Sequence, residues 1–281
     1  MTLLAHPAVA AFCALFVWWF STGVVLYIVG RSADRSFWSL GIAALCFVAA
    51  LYGLAKSATD TSVAGAYAAF GSAILLWGTQ EFAFLAGFIT GSQKLPCPDE
   101  CRGWRRIVLA FRSVIYHEAA LVLTGVAAIV VVGDGENRFG VWTFVILWVM
   151  RVSSKINLFA GVPVLNHEFL PLRLSYLATF FAKRPVNPFF PVAVTAATAV
   201  ATLLLVRAFF TDVAAFRSTG DMLLASLLAL GILEHWFMIV PMPIAALWSW
   251  GMRSRTPEEP SMLPLHKNAQ VRGVANSVRD R

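Results

Sequence analysis

Charge is scarce in this chain. Of its 281 residues only 13% are charged, 15 acidic against 22 basic, while 59% are hydrophobic. A typical soluble domain carries about a quarter charged residues, so the composition excludes one. Cysteine is sparse too. Cys13 and Cys46 lie in apolar runs and Cys97 and Cys101 share one loop, which excludes the disulfide framework of a small secreted domain. The net charge is +7, but the basic residues are scattered over connections and the tail, which argues against a nucleic-acid partner. A phosphate-cradling glycine loop, a nucleophile triad and a dinucleotide fingerprint are all missing. No internal repeat is evident, which counts against a transporter built from inverted halves.

What the sequence does have is long apolar runs. A bilayer core of roughly 30 Å needs about 20 apolar residues per helix. Hydropathy and helix breakers predict spans near 8–29, 37–55, 63–90, 108–132, 139–160, 189–210 and 222–250. The expected fold is an all-α polytopic membrane protein of about seven transmembrane helices, one domain over 1–253. The first run is longer than the core of a secretory signal and is read as a retained helix. Fifteen Lys and Arg fall in the connections after spans one, three and five and in the tail, against Lys56, Arg138 and Arg217 after spans two, four and six. By the positive-inside rule the N-terminus is expected outside and the C-terminus in the cytoplasm.

Two stretches stand apart from the spans. Leu170, Leu174, Leu177 and Phe181 recur at helical spacing opposite Arg173, Thr179 and Lys183, predicting an amphipathic interfacial helix near 169–183. The tail over 254–281 carries Pro257, Pro260 and Pro264 among polar and basic residues and is expected to be disordered, its charges drawn to anionic lipid.

Ionisable side chains inside spans are costly and usually face a bundle interior or a water-filled cavity. Those that stand out here are Glu81, His117, Glu118, Arg151, Lys155, Glu234 and His235. At about 1.5 Å per residue, counted from the predicted span ends, they fall near mid-depth, within reach of one another. Four chemistries are open to such a cluster. Arg151 and Lys155 can neutralise Glu81, Glu118 and Glu234 as a structural ion-pair network. His117 and His235 are candidate axial ligands to a haem iron or to the magnesium of a chlorophyll-type ring. A carboxylate and histidine metal site is a third reading, although the pairs His117-Glu118 and Glu234-His235 are adjacent and point about 100° apart on a helix, unlike the Glu-x-x-His pattern of bundle metal sites. The fourth is a proton or ion pathway.

Other features carry less. Cys97-Pro-Asp-Glu-Cys101 lacks the second ligand pair that zinc needs. His167-Glu168 reads as a hydrated helix cap, and the acidic turn over 133–137 needs only Gly and Asn chemistry. Trp18, Trp19, Trp38, Trp104, Trp248 and Trp250 fit an interfacial aromatic belt, with Trp142, Trp148 and Trp236 deeper.

The stretch Arg151-Val-Ser-Ser-Lys155-Ile-Asn157-Leu-Phe-Ala-Gly161-Val-Pro163, continuing through Asn166-His-Glu168-Phe-Leu-Pro171 to Lys183-Arg-Pro185-Val-Asn187, resembles the central signature of the PuhE-type photosynthetic complex assembly proteins of purple and related phototrophic bacteria. Trp18-Trp19-Phe-Ser-Thr-Gly23, Thr79-Gln-Glu81, Tyr116-His-Glu118 and Glu234-His-Trp236 are similar to that family as well, so the resemblance runs nearly to Arg253. Ala160 stands where the signature has a bulkier Leu. The resemblance implies an assembly factor of the bacterial cytoplasmic membrane, including its photosynthetic intracytoplasmic extensions, that works with reaction-centre or light-harvesting subunits and influences bacteriochlorophyll supply. It adds Asn157 to the cluster and gives imidazole ligands a use. From other classes, a metal- or haem-dependent enzyme of tetrapyrrole metabolism and a proton-coupled transporter stay open.

Overall fold

The structure, a computed structural model, describes residues 3–31, 37–98, 100–210 and 213–252. The tail over 254–281 lies outside the described residues. Seven long helices follow one another: α1 (Pro7–Arg31), α2 (Phe37–Ser57), α3 (Val63–Leu85), α4 (Gly103–Val132), α5 (Phe139–Ala160), then after the single turn α6 (Ser175–Ala178) come α7 (Phe189–Phe210) and α8 (Ala215–Trp236); one more turn, α9 (Ser249–Met252), ends the described chain. Among the described residues, six of these helices are long and apolar enough to cross a membrane, all but α3. α3 is the inner helix. It packs on α1, α2, α5 and α8, so protein surrounds much of it and it tolerates Thr79, Gln80 and Glu81. Phe12 and Phe16 on α1, Leu45 and Val48 on α2, and Leu203 and Phe210 on α7 are exposed apolar side chains, the skin that a lipid solvent calls for.

The first ends of α3 and α5 are fixed by side-chain chemistry. Ser62 caps α3, its hydroxyl accepting from the Gly65 amide, and the Asp60 carboxylate accepts from the Ser62 amide at 2.9 Å. Those hydrogen bonds to Ser62 hold the Asp60 carboxyl below its ordinary range. Asn137, 1% exposed just before α5, donates its side-chain amide to the carbonyls of Asp60 and Gly65, and its backbone amide to Ala58. One buried amide thus ties the α2–α3 turn to the α4–α5 turn. At its other end α5 stops at Gly161, whose φ of 131° favours glycine.

Three expectations need correcting. The helix expected over 222–250 begins earlier and ends at Trp236. Arg217 and Asp221 do not delay it, because buried Asp221 pairs with Arg207 at 3.1 Å. Pro241 and Pro243 end it, since proline removes a helix donor and disfavours helix in the preceding residue. Residues 237–252 instead form a hook, through the 3-10 turn Ile244–Trp248 and α9, that packs back on α1. There Gly251 meets the Gly23 carbonyl so closely that a Cβ would lie 2.5 Å from that oxygen.

α3 also ends at Leu85 rather than near residue 90, and the irregular residues after it run against α4. The Thr90 carbonyl accepts from the amides of both Tyr116 and His117, while the Arg112 carbonyl accepts from the Gln93 amide. Finally, no single amphipathic helix covers 169–183. The segment runs through 3-10 turns at His167–Phe169 and Leu172–Leu174 and then α6. Leu174, Tyr176, Leu177 and Phe180 are all buried, so this segment is enclosed on more sides than an interfacial helix would be, and it joins the core with Phe82, Leu85 and Val29.

Candidate functional site

α3, α4 and α5 bring together five of the charged or titratable side chains. Arg151 donates to one Glu81 oxygen at 2.7 Å. The other Glu81 oxygen lies 3.6 Å from His117 Nε2, too far for a hydrogen bond, and among the described residues neither it nor the two His117 ring nitrogens has a hydrogen-bond partner. His117 is fully buried, its ring 4.4 Å from that of Phe84. Lys155, one turn along from Arg151, donates to Glu118 at 2.5 Å and lies over the Phe84 ring. The i to i+4 spacing of Arg151 and Lys155 puts both cations on one face of α5. Each then finds a carboxylate from a different helix.

The last turn of α8 divides its two polar residues. Glu234 accepts the indole N–H of Trp18 at 2.8 Å, and no cation lies within ion-pair distance of it among the described residues. His235 points elsewhere. Its Nδ1 faces the Gly231 carbonyl at 2.8 Å and its Nε2 faces the Ser153 hydroxyl at 2.8 Å. A carbonyl only accepts, so Nδ1 carries a hydrogen, and in the neutral ring the hydroxyl then donates to Nε2. Asn157 belongs to a third arrangement: it donates to the Ser153 carbonyl and accepts from the Asn187 side chain at 3.0 Å, fastening the end of α5 to the chain that enters α7.

Between these groups lies a cavity of about 420 Å³, within the range of small-molecule sites. Trp18, Trp77, Glu81, Arg151, Lys155 and Glu234 all reach its wall. Cationic donors and an uncompensated carboxylate therefore share one aromatic-lined space inside the bundle, which suits a ligand or side chain that is mostly apolar with a few polar atoms.

This arrangement does not fit axial ligation of a tetrapyrrole by the two imidazoles. Both nitrogens of His235 are engaged, and His117 is enclosed between Phe84 and Glu81 without forming part of the cavity wall. Among the described residues no group of three or more His, Cys, Asp and Glu side chains converges as a metal site. His167 and Glu168 are exposed in their 3-10 turn, and Cys97 and Cys101 are not disulfide-bonded.

Several residues of the site are not recognisable as such from the sequence. Trp18 and Trp248 are not belt residues: Trp248 is buried and meets Trp18 edge-on at 5.2 Å, forming part of the cavity wall. The signal for Trp18 was its place in an apolar run well inside α1. Ser153 and Thr90 carried no signal, since a hydroxyl or carbonyl partner depends on which helices meet.

Fold and site define a polytopic helical membrane protein with a charged, aromatic-lined cavity inside its bundle. The chain belongs to the family described as proteins of unknown function (DUF3623), whose model matches residues 4–259. It is 38% identical over 255 residues to a Rhodobacter capsulatus protein described as an uncharacterized 30.4 kDa protein in the puhA 5′ region, a match covering 89% of this chain and 92% of that one. No solved structure matches.

Proposed function

We propose that this protein is an integral inner-membrane assembly factor for the bacteriochlorophyll-containing photosynthetic complex, the reaction centre with its core light-harvesting apparatus. The observation that carries this reading is the Rhodobacter capsulatus relative, which is similar over nearly the whole of both chains and is described by its position in the puhA 5′ region. The similarity of the segment over 151–187 to photosynthetic complex assembly proteins points the same way. On this reading the protein acts by binding, with the cavity beside Arg151 and Glu234 as the place where a pigment or a subunit side chain is held, through its donors and acceptor rather than through an imidazole–metal bond. Its location is then the bacterial cytoplasmic membrane, including the intracytoplasmic photosynthetic membrane.

The test is replacement. Deleting the relative's gene in Rhodobacter capsulatus should lower the near-infrared absorption of reaction-centre and core light-harvesting complexes per membrane protein, and this chain expressed in its place should restore most of it. Pigment extracts should contain ordinary bacteriochlorophyll in reduced amount. A normal spectrum in the deletion strain overturns the proposal. Accumulation of a chemically altered pigment precursor replaces it with the enzyme reading.

A further inference from the structure

A second cavity lies behind Ile146 and Met150, which line both. α7 leans on α8 along its length and touches α5 at few points, which leaves a groove of about 770 Å³ between α5, α7 and α8. On α5 it runs from Phe139 to Ser153, about 21 Å at 1.5 Å per residue. Its walls are apolar, with exposed Trp142, Val149, Val192 and Val200 opening it sideways toward the space that lipid occupies. The polar group at its deep end is the Ser153 hydroxyl, already engaged with His235.

The other end is charged. Exposed Arg138 and Arg217 line the mouth where α5 and α8 begin, with Glu136 beside them and Arg207 paired to Asp221. Size decides the kind of occupant. The cavity is long and narrow, about 770 Å³ spread over about 21 Å, and its apolar length suits a flexible hydrocarbon chain. It is longer than the hydrocarbon of one leaflet, half of a roughly 30 Å core.

We infer that this groove holds one acyl chain of an anionic phospholipid, drawn from the leaflet at the end where α5 begins, with the phosphodiester held by Arg138 and Arg217. Guanidinium forks suit phosphate oxygens, and apolar walls suit a chain and nothing more polar. This site has its own polar groups, although Ile146 and Met150 also line the cavity at Arg151, and it does not depend on the assembly reading.

Native mass spectrometry of the full-length protein in mild detergent tests it, with palmitoyl-oleoyl phosphatidylglycerol and the matching phosphatidylcholine as probes. One phosphatidylglycerol should be retained in preference to phosphatidylcholine. The double variant Arg138→Gln, Arg217→Gln should retain phosphatidylglycerol about tenfold less well. Ala196→Trp, at an exposed groove position, should exclude both lipids while leaving the melting temperature unchanged; Val200→Trp serves if that variant does not fold. Glycerol phosphate, the head group without a chain, should displace nothing. Equal retention of the two lipids, an unchanged preference in the arginine variant, full retention in a folded tryptophan variant, or displacement by glycerol phosphate each overturns the assignment.

Discussion

Trp18 and Glu234 are 216 residues apart in sequence and 2.8 Å apart in space, the indole N–H donating to the carboxylate. The bond joins the first long helix to the end of the last one across the cavity. Trp18→Phe keeps a ring against Trp248 but removes the donor. A typical intramolecular hydrogen bond contributes about 0.5–1.5 kcal/mol, so this variant should melt lower. Glu234→Leu in the Trp18→Phe background should recover part of the loss, because both partners are then apolar. Thermal unfolding in detergent checks this; an additive second loss would show that the two residues do not interact.

Glu81 and Arg151 give the second prediction. Removing one member of a buried ion pair leaves an uncompensated charge, and the cost here should be on the order of 2 kcal/mol, since the guanidinium is more than one-third exposed. Arg151→Leu should therefore unfold well below Lys56→Leu, which alters an exposed cation on α2. Adding Glu81→Leu should restore stability. Equal melting temperatures for Arg151→Leu and Lys56→Leu would falsify the pairing.

Gly91 tests the insertion beside His117. A Cβ there would lie 2.1 Å from the Arg112 carbonyl oxygen, a backbone atom that cannot swing away. Gly91→Ala should destabilise by about 1–3 kcal/mol, as overpacking does. Amide hydrogen exchange at Tyr116 and His117 should quicken, because their acceptor at Thr90 is displaced. Unchanged exchange at those two amides would contradict the insertion.

Asp60 supplies a pH dependence outside the spans. Its carboxyl is held below the ordinary range by the Ser62 hydrogen bonds. A carboxyl depressed by folding adds stability that is fully present above its unfolded pKa, about 3.9, and is lost as pH falls through the folded value. Asp60→Asn should lower the melting temperature slightly at pH 7 and flatten its fall below about pH 4. A variant whose acid limb superimposes on that of the parent would remove Asp60 from the account.

Much of the helical plan was legible because apolar run length is a strong signal: the expected spans over 37–55, 139–160 and 189–210 coincide with α2, α5 and α7 to within two residues. The misreadings share a cause. α8 starts early because Asp221 finds Arg207, and the segment over 169–183 abandons one helix because the bundle encloses it from several sides. Both depend on tertiary partners that periodicity does not carry. In the site, the charged residues stood out by type, since an apolar run makes each one conspicuous. Their division into the Glu81–Arg151–His117 group, the Glu118–Lys155 pair, Glu234 with Trp18, and His235 with Ser153 did not, because helix rotation decides which of several mid-depth groups meet.

The hook over 237–252 bears on how the protein is made. Trp18, near the beginning of the chain, and Trp248, near the end of its described part, form adjoining pieces of one cavity wall, clasped by Gly23 against Gly251. During synthesis the first helix must wait in the bilayer while every other helix is inserted, and the compartment closes only when the final turns arrive. Without residues 237–252 the charged groups of the site are all present, but the part of the cavity wall formed by Phe237, Met238, Ile244 and Trp248 is missing.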